Sequence, residues 1–259
     1  GVHQETLQRL WEQNTVFPCF TTPEEVEAKR QEAAKKKENF VFWSADRTLD
    51  RRTLEEKMAS GDRYVWRIRC PKDQELTVKD LIRGEIKANT NTLGDFVVAR
   101  SDGSVLYLLA NVIDDIDQGV THIIKGEDHI SNTPKQILLF QALGKELPRY
   151  AHIPLVLDQQ GKKLSKRNVD PDICVLIKDF QAQGFVPEAV TNGLAFLGWN
   201  PKTTEEMFSL QALEEVFDLE KVNTAAAKYD FEKMKWFNHQ WLGKLPVEQV
   251  IHYYNQFHD

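Results

Sequence analysis

The spacing of apolar positions changes several times along this chain, and each change marks a different kind of element. The opening segment, residues 6–13, reads as helix. Residues 23–38 predict a second helix: Thr22 suits the N-cap, Pro23 the first turn, and Glu24 and Glu25 the positive helix end. Almost every other position in that stretch is polar, so this helix is expected to lie exposed. At Tyr64 the pattern switches to alternation, Tyr64-Val-Trp-Arg-Ile-Arg-Cys70, which Pro71 stops. Shorter strand-like runs follow at 85–88 and 96–99. The first hundred residues thus read as a small α+β unit.

A turn, Ser101-Asp-Gly-Ser104, precedes an apolar run, 105–113, taken as a strand, with Asp114 and Asp115 shaping the turn after it. Residues 121–124 read as a short buried strand leading to Gly126. A helix over 133–143 follows, with Ser131 or Asn132 as cap, Pro134 near its start and Gly144 at its end. It is apolar on most faces and expected to be buried. With a strand at 153–157 this makes a strand–helix–strand unit, and hence a parallel sheet. Beyond Arg167 the chain reads as mainly helical: 176–183 ending at Gly184, 187–197 ending at Gly198, 209–217 and 231–241.

Composition narrows the class. The 259 residues are 41% hydrophobic and 28% charged, ordinary for a globular protein. No apolar run approaches membrane-spanning length and no secretory segment opens the chain. Cys19, Cys70 and Cys174 lie far apart without a CxxC pair, which indicates neither a disulfide framework nor a cysteine-rich metal site. A reducing cytoplasm is the expected compartment. The net charge of −6 does not advertise nucleic acid. Local basic strips nevertheless occur at Lys35–Lys37, Arg51-Arg52, Arg63 to Arg69 and Lys162 to Arg167, and affinity for a polyanion depends on the phosphates contacted. The chain opens Gly-Val-His, without an initiator methionine, and reads as an internal piece of something longer.

The candidate chemistry sits on Gly161-Lys162-Lys163-Leu164-Ser165-Lys166-Arg167. Four cations and a hydroxyl on a glycine-bearing loop suit the gripping of a polyphosphate, with lysines as mobile point charges and arginine as a planar fork. The plainer reading is a solvated basic loop; the flanking chain decides against it.

In order and spacing, several phrases resemble the middle of bacterial-type glutamyl-tRNA synthetases, which are class I aminoacyl-tRNA synthetases. They are Asp80-Leu-Ile-Arg-Gly84, Ser101-Asp-Gly103, Tyr107, Ala110-Asn111-Val-Ile-Asp-Asp115 and Gly119-Val-Thr-His-Ile-Ile-Lys-Gly-Glu-Asp-His129. Asn132-Thr-Pro-Lys-Gln-Ile137, Ala151-His-Ile-Pro154 and Lys163-Leu-Ser-Lys-Arg167 complete the set. The last matches the family's KMSKS-type loop. The resemblance implies activation of glutamate by ATP and transfer of the glutamyl group to tRNA(Glu), with Mg²⁺ sharing the phosphate charge and no covalent enzyme intermediate.

By this resemblance Lys163, Ser165 and Lys166 are the catalytic residues, holding the triphosphate and the leaving pyrophosphate. Asp128, His129, Leu155, Val156, Leu164 and Arg167 complete the ATP site, while Tyr107, Asn111 and Lys125 contact glutamate. Taken alone, each has a plainer reading. Glu127 and Asp128 could be helix N-terminal charges, Gly126 a turn residue, Tyr107 a strand aromatic and Asn111 a capping amide. Lys125 departs from the arginine common in the family, keeping the charge but losing the bidentate fork. Many relatives hold zinc near the equivalent of Pro18-Cys19-Phe20-Thr21. Here Cys19 stands alone and Phe42-Trp-Ser-Ala-Asp46 contributes no sulfur, so no zinc is expected.

The implied fold class is α/β: the second half of a class I Rossmann-type catalytic domain, with an inserted α+β acceptor-binding domain and a following helical stem-contact region. The expected divisions are 1–100 for the inserted domain, 101–158 for the Rossmann half, 159–243 for the KMSKS-type loop and stem-contact helices, and 244–259 for the start of an anticodon-binding region. Lys233 and Lys235 could face tRNA. The family's HIGH-type motif is absent, so the chain by itself is expected to be inactive. No membrane partner is expected, and the family is usually monomeric. Three alternatives fit the residues less well. The paralogue that glutamylates a queuosine-bearing tRNA generally ends soon after the KMSKS-type loop, and glutaminyl-tRNA synthetase fits the 126–137 phrase less well. A non-catalytic tRNA-binding module would have little reason to keep Ser165 between the lysines.

Overall fold

Burial alternates or runs continuously along the strands according to whether one or both faces are covered, and that sets the architecture. The structure, a computed structural model, describes residues 1–165 and 173–258. The chain forms two units. Unit 1 comprises residues 1–80, 84–123 and 129–150; unit 2 comprises 81–83, 124–128 and the chain from 151 on.

Unit 1 begins with α1 (Val2–Glu12), which buries Thr6, Leu7, Leu10 and Trp11 along one face. β1 (Val16–Cys19) is buried at every position. α2 (Pro23–Lys35) starts in a capping box: Thr22 Oγ1 accepts from the Glu25 amide at 3.2 Å and the Glu25 carboxylate accepts from the Thr22 amide at 2.8 Å. None of its residues is buried, as its polarity predicts. α3 (Arg51–Ala59) is capped by Asp50, which accepts from Thr53 N at 2.9 Å. Then come β2 (Val65–Ile68), β3 (Glu75–Asp80), β4 (Gly84–Asn89), β5 (Val97–Arg100), α4 (Tyr107–Asp117), β6 (His122–Gly126), α5 (Thr133–Ala142) and β7 (Arg149–Ile153), of which residues 124–126 and 151–153 count with unit 2.

The strands form two sheets. β1, β2 and β5 pair antiparallel in that order, Val16 facing Ile68 and Trp66 facing Ala99, with a register shift between Trp66 and Arg67. The second sheet has the order β4-β3-β7-β6 and is mixed: β3 pairs antiparallel with β4 and parallel with β7. α5 joins the neighbouring strands β6 and β7, a strand–helix–strand unit whose second strand lies at 149–153 and not at the expected 153–157. α5 buries Pro134, Ile137, Leu138, Leu139 and Phe140, and one apolar core runs from Leu7 to Tyr150.

Three expectations are corrected. Residues 105–113 are not a strand: α4 starts at Tyr107 and continues through Asp114 and Asp115, which lie on a helix and shape no turn. β6 is not fully buried but alternates between exposed and half-buried positions. The run 153–157 is two strands, because Pro154 lacks the amide that would continue the ladder. β1, β3 and α3 are elements the hydrophobic pattern did not announce.

Unit 2 contains β8 (Val156–Leu157), α6 (Ile177–Ala182), α7 (Pro187–Ala195), α8 (Leu210–Val216), β9 (Ala227–Lys228), α9 (Phe231–Leu242) and α10 (Val247–His258). Gly184 and Gly198 close α6 and α7 with φ of +75° and +99°. α7 and α9 approach closely at Gly193, where a Cβ would collide with the Met234 sulfur. The fully buried Asn192 fastens this packing. Its Oδ1 accepts from Phe208 N at 3.0 Å and Trp241 Nε1 at 3.2 Å, and its Nδ2 donates to Glu206 O at 2.9 Å. Among the described residues no helix is long and apolar enough to cross a membrane.

Candidate active site

The lysine-bearing loop is built as a tight hairpin. Gly161 N donates to Asp158 O at 3.1 Å and Lys162 N to the Asp158 carboxylate at 2.8 Å, while Gly161 itself adopts φ +82°. The returning arm pairs back on β8, with Asp158 N donating to Lys162 O at 2.7 Å and Leu164 N to Val156 O at 2.9 Å. The other edge of β8 is taken by β9, which runs parallel to it. Tyr229 locks that edge: its amide donates to Leu157 O at 2.8 Å and its hydroxyl to Cys174 O at 2.6 Å. Burial pushes the Tyr229 phenol well above its usual range, so it remains a donor.

The hairpin brings Lys163 to the loop that follows β6. Lys163 Nζ lies 2.6 Å from Asp128 Oδ2. One residue earlier, Glu127 acts as a brace. Its Oε1 accepts from Leu155 N at 2.9 Å, its Oε2 accepts from Arg83 Nη2, and Arg83 Nε donates to His152 O at 3.3 Å. Glu127 is therefore occupied by structural bonds, while Asp128 is exposed and holds a lysine. Gly126 leaves room for this arrangement, since a Cβ there would lie 2.5 Å from Asp128 Oδ1 and push that carboxylate aside. The brace was not legible as such. Arg83 falls within the Asp80–Gly84 phrase, but nothing in its spacing points to residue 127.

Within unit 2, then, the fold brings together Lys125, Asp128, Leu155, Val156, Lys163, Leu164 and Ser165 on β6, β8 and their loops. Val156 and Leu164 both pack against the cluster of Cys174, Phe180, Phe185 and Tyr229, so part of each side chain serves the core. Lys166 and Arg167 lie outside the described residues. Tyr107, Asn111 and His129 belong to unit 1. Tyr107 and Asn111 are one helical turn apart and so share a face of α4. Tyr107 is 63% exposed, unusual for an aromatic at the start of an apolar helix. Asp114, one turn beyond Asn111, lies 2.7 Å from His3 Nε2. His129 sits in the six-residue 3₁₀ helix Glu127–Asn132 that leads into α5.

Away from these residues, Cys19 is fully buried and its sulfur lies 3.3 Å from Ser44 Oγ. Lys233 and Lys235 pair with Glu206 and Glu232 at 2.7 and 2.5 Å, and Lys233 Nζ also stands 3.9 Å from the Trp236 ring centroid.

Comparison with known proteins bears on the family and the fold. The family model "tRNA synthetases class I (E and Q), catalytic domain" matches residues 3–236. Glutamate–tRNA ligases of Synechococcus sp. (strain JA-3-3Ab) and Aquifex aeolicus are 44% and 39% identical over 96% of the chain. The chain spans 51% and 52% of those proteins, about half the length of the curated relatives it matches. A crystal structure of a glutamate tRNA ligase from Elizabethkingia meningosepticum, in complex with its amino acid, superposes with a TM-score of 0.85 at 31% identity. It covers 98% of this chain and 55% of that one. The fold is that of a class I synthetase catalytic domain with mixed α/β sheets, and the chain belongs to the class I tRNA synthetases of the glutamate and glutamine group.

Proposed function

We propose that this chain is the second half of the catalytic centre of a glutamate–tRNA ligase, and that the hairpin at 158–165 presents Lys163 to the phosphates of ATP. The observation that carries this reading is the 2.6 Å pairing of Lys163 with Asp128 across 35 residues of sequence. It gathers a mobile cation and the carboxyl end of β6, the position at which open α/β sheets take ligands. Relatives that are glutamate–tRNA ligases support the choice of reaction.

In this reading the chemistry is positioning and electrostatics. Glutamate attacks the α-phosphate of ATP, pyrophosphate leaves, and the mixed anhydride is then opened by the tRNA 3′ end. Fixed cations stabilise charge that grows on the phosphates. Lys163 acts from the hairpin, with Ser165, Lys166 and Arg167 as its partners. Asp128 and His129 receive the nucleoside beside Leu155, Val156 and Leu164, while Tyr107, Asn111 and Lys125 face the amino acid. Mg²⁺ enters with the nucleotide.

The same reading assigns residues 1–100 to binding the tRNA acceptor end, 101–158 to the Rossmann half, 159–243 to stem contact and 244–259 to the start of the anticodon-binding region. The whole protein would act as a monomer in the cytoplasm.

The test is glutamate-dependent ATP–pyrophosphate exchange, measured on the chain alone and on the chain joined to the segment its coding region supplies upstream. Exchange is expected only from the joined form. Lys163→Ala is expected to lower it by about 10²–10³-fold, the scale of losing one preorganised transition-state contact. Exchange that survives both Lys163→Ala and Lys166→Ala would refute the role of the hairpin. Binding of tRNA without binding of nucleotide would leave an RNA-binding module.

A further inference from the structure

A cavity of about 380 Å³ in unit 1 has no part in the site above. Its walls come from α2, the 40–42 segment, β2, the 92–97 segment and α5, and they include Arg30, Phe40, Phe42, Arg67, Phe96 and Lys135. A neighbouring hollow of similar size shares Val26, Arg30, Arg67 and Val97 with it.

Arg67 is the unusual member. Strand alternation sends Trp66 and Ile68 into the core, where Trp66 packs edge-on against Trp11. Val65 and Arg67 are left on the opposite face, with Val97 as Arg67's cross-strand partner. Arg67 is only 8% exposed, yet its Nε has no hydrogen-bond partner. Nη1 donates to the backbone oxygen of Asp95 at 2.6 Å, and the guanidinium lies 4.1 Å from the Phe42 ring centroid. Burying an arginine without filling its donors is costly, so such a group calls for an acceptor.

The nearby acids do not supply one. The Asp95 carboxylate is taken by Arg47 at 3.0 Å and by the amides of Ser44 and Cys70 at 3.1 Å each. Glu27 pairs with Arg30 at 3.3 Å. Lys29 and Lys135 add positive charge at the rim, at 5.7 Å from the Phe42 ring and 5.5 Å from the Phe96 ring. Around the aromatic floor Arg30, Arg67, Lys29 and Lys135 outnumber the acids Glu27 and Asp95, although the Asp95 carboxylate also lines the cavity and feels the Arg67 charge.

We propose that this cavity is a binding site for a small anion carried on a flat apolar body, an aryl phosphate or aryl carboxylate. The anionic group approaches the guanidinium of Arg67 and the ammonium of Lys135, while the ring lies among Phe40, Phe42 and Phe96. The inference does not depend on the reading of the Lys163 hairpin.

Three probes test it by calorimetric titration of the 259-residue chain: phenyl phosphate, inorganic phosphate and phenol. Phenyl phosphate is expected to bind at least about tenfold more tightly than either part alone, since burial of a ring contributes roughly 1.5 kcal/mol or more. Arg67→Gln is expected to weaken it about tenfold or more, the scale of a lost charge-assisted hydrogen bond. Arg67 also supports Asp95, so that variant risks misfolding. Lys135→Gln on the opposite wall is the second variant, expected to weaken phenyl phosphate about threefold without changing the unfolding midpoint, an effect that shrinks with added salt. Equal affinity for phosphate and phenyl phosphate, no binding of phenyl phosphate, or binding indifferent to Lys135→Gln would each overturn the proposal.

Discussion

Asp128 holds Lys163 through a 2.6 Å ion pair, with the two side chains 38% and 56% exposed. A pair so open to water contributes at most about 1 kcal/mol to stability. Its consequence is competition, since any phosphate that is to use Lys163 must first displace a carboxylate. Asp128→Asn is therefore expected to leave the unfolding midpoint nearly unchanged and to tighten the binding of pyrophosphate several-fold. If Asp128 also contacts the nucleoside, as proposed, the same variant weakens ATP. Titrating both ligands separates the two effects, and unchanged pyrophosphate affinity would show that the pair does not compete.

Gly94 bears on the other unit. Its φ is +63°, and a Cβ built there would overlap Phe42 O and come within 2.8 Å of Val41 Cγ1. Phe42 O accepts from the Asp95 amide at 2.8 Å, so it cannot retreat without breaking that bond. Gly94→Ala should destabilise the chain by about 2 kcal/mol or more, combining left-handed strain with a backbone clash. The denaturant midpoint measures this. A substitution that is neutral there would mean that the 92–95 turn can take a second conformation.

Cys70 gives unit 1 a dependence on alkaline pH. Burial first, and the Asp95 charge second, push its thiol up to about 11 from an ordinary value of 9.0. Between those two pH values the unfolded chain has lost the thiol proton and the folded chain keeps it, so stability falls as pH rises through this window. Two pKa units correspond to roughly 2.7 kcal/mol at most. Cys70→Ala is expected to flatten the slope of stability against pH between 9 and 11 relative to the parent. Equal slopes in the two proteins would mean that the thiolate is tolerated in place.

The elements that could be read from sequence carry their signals locally. α2 is specified by Thr22, Pro23 and Glu25, all at its own first turn, and the structure realises them as a capping box. α5 announces itself through Pro134, its apolar run and Gly144. α4 carries no such mark: its N-cap is Leu106, without a side-chain cap bond, and its apolar run looks the same in either period. β1 is buried through Pro18, a residue that argues against a strand, and its protection comes from neighbours remote in sequence. For the candidate site, residue chemistry marked the Lys163 loop, while the 125–129 segment was marked by the resemblance to a family. The hairpin register that joins them depends on β9, two residues long and some 70 positions downstream.

Glu127 shows the same kind of long-range dependence and gives a sharp test. Its carboxylate fastens the amide of Leu155 and the guanidinium of Arg83, both partly buried. Glu127→Gln keeps an acceptor for the Leu155 amide but removes the negative charge that Glu127 presents to Arg83. Glu127→Ala removes both. Amide hydrogen exchange at Leu155 is therefore expected to quicken modestly in the first variant and by about ten- to a hundredfold in the second, matching a hydrogen bond to a charged group at roughly 1.5–3 kcal/mol. Loss of the brace should also loosen the start of β8, and with it the hairpin that carries Lys163. Exchange at Leu157 and Leu164 is accordingly expected to rise in the alanine variant. Fast exchange confined to Leu155 would mean that β9 alone holds β8 in place. Unaltered exchange at Leu155 would show that its amide has another acceptor and that Glu127 does not brace the strand.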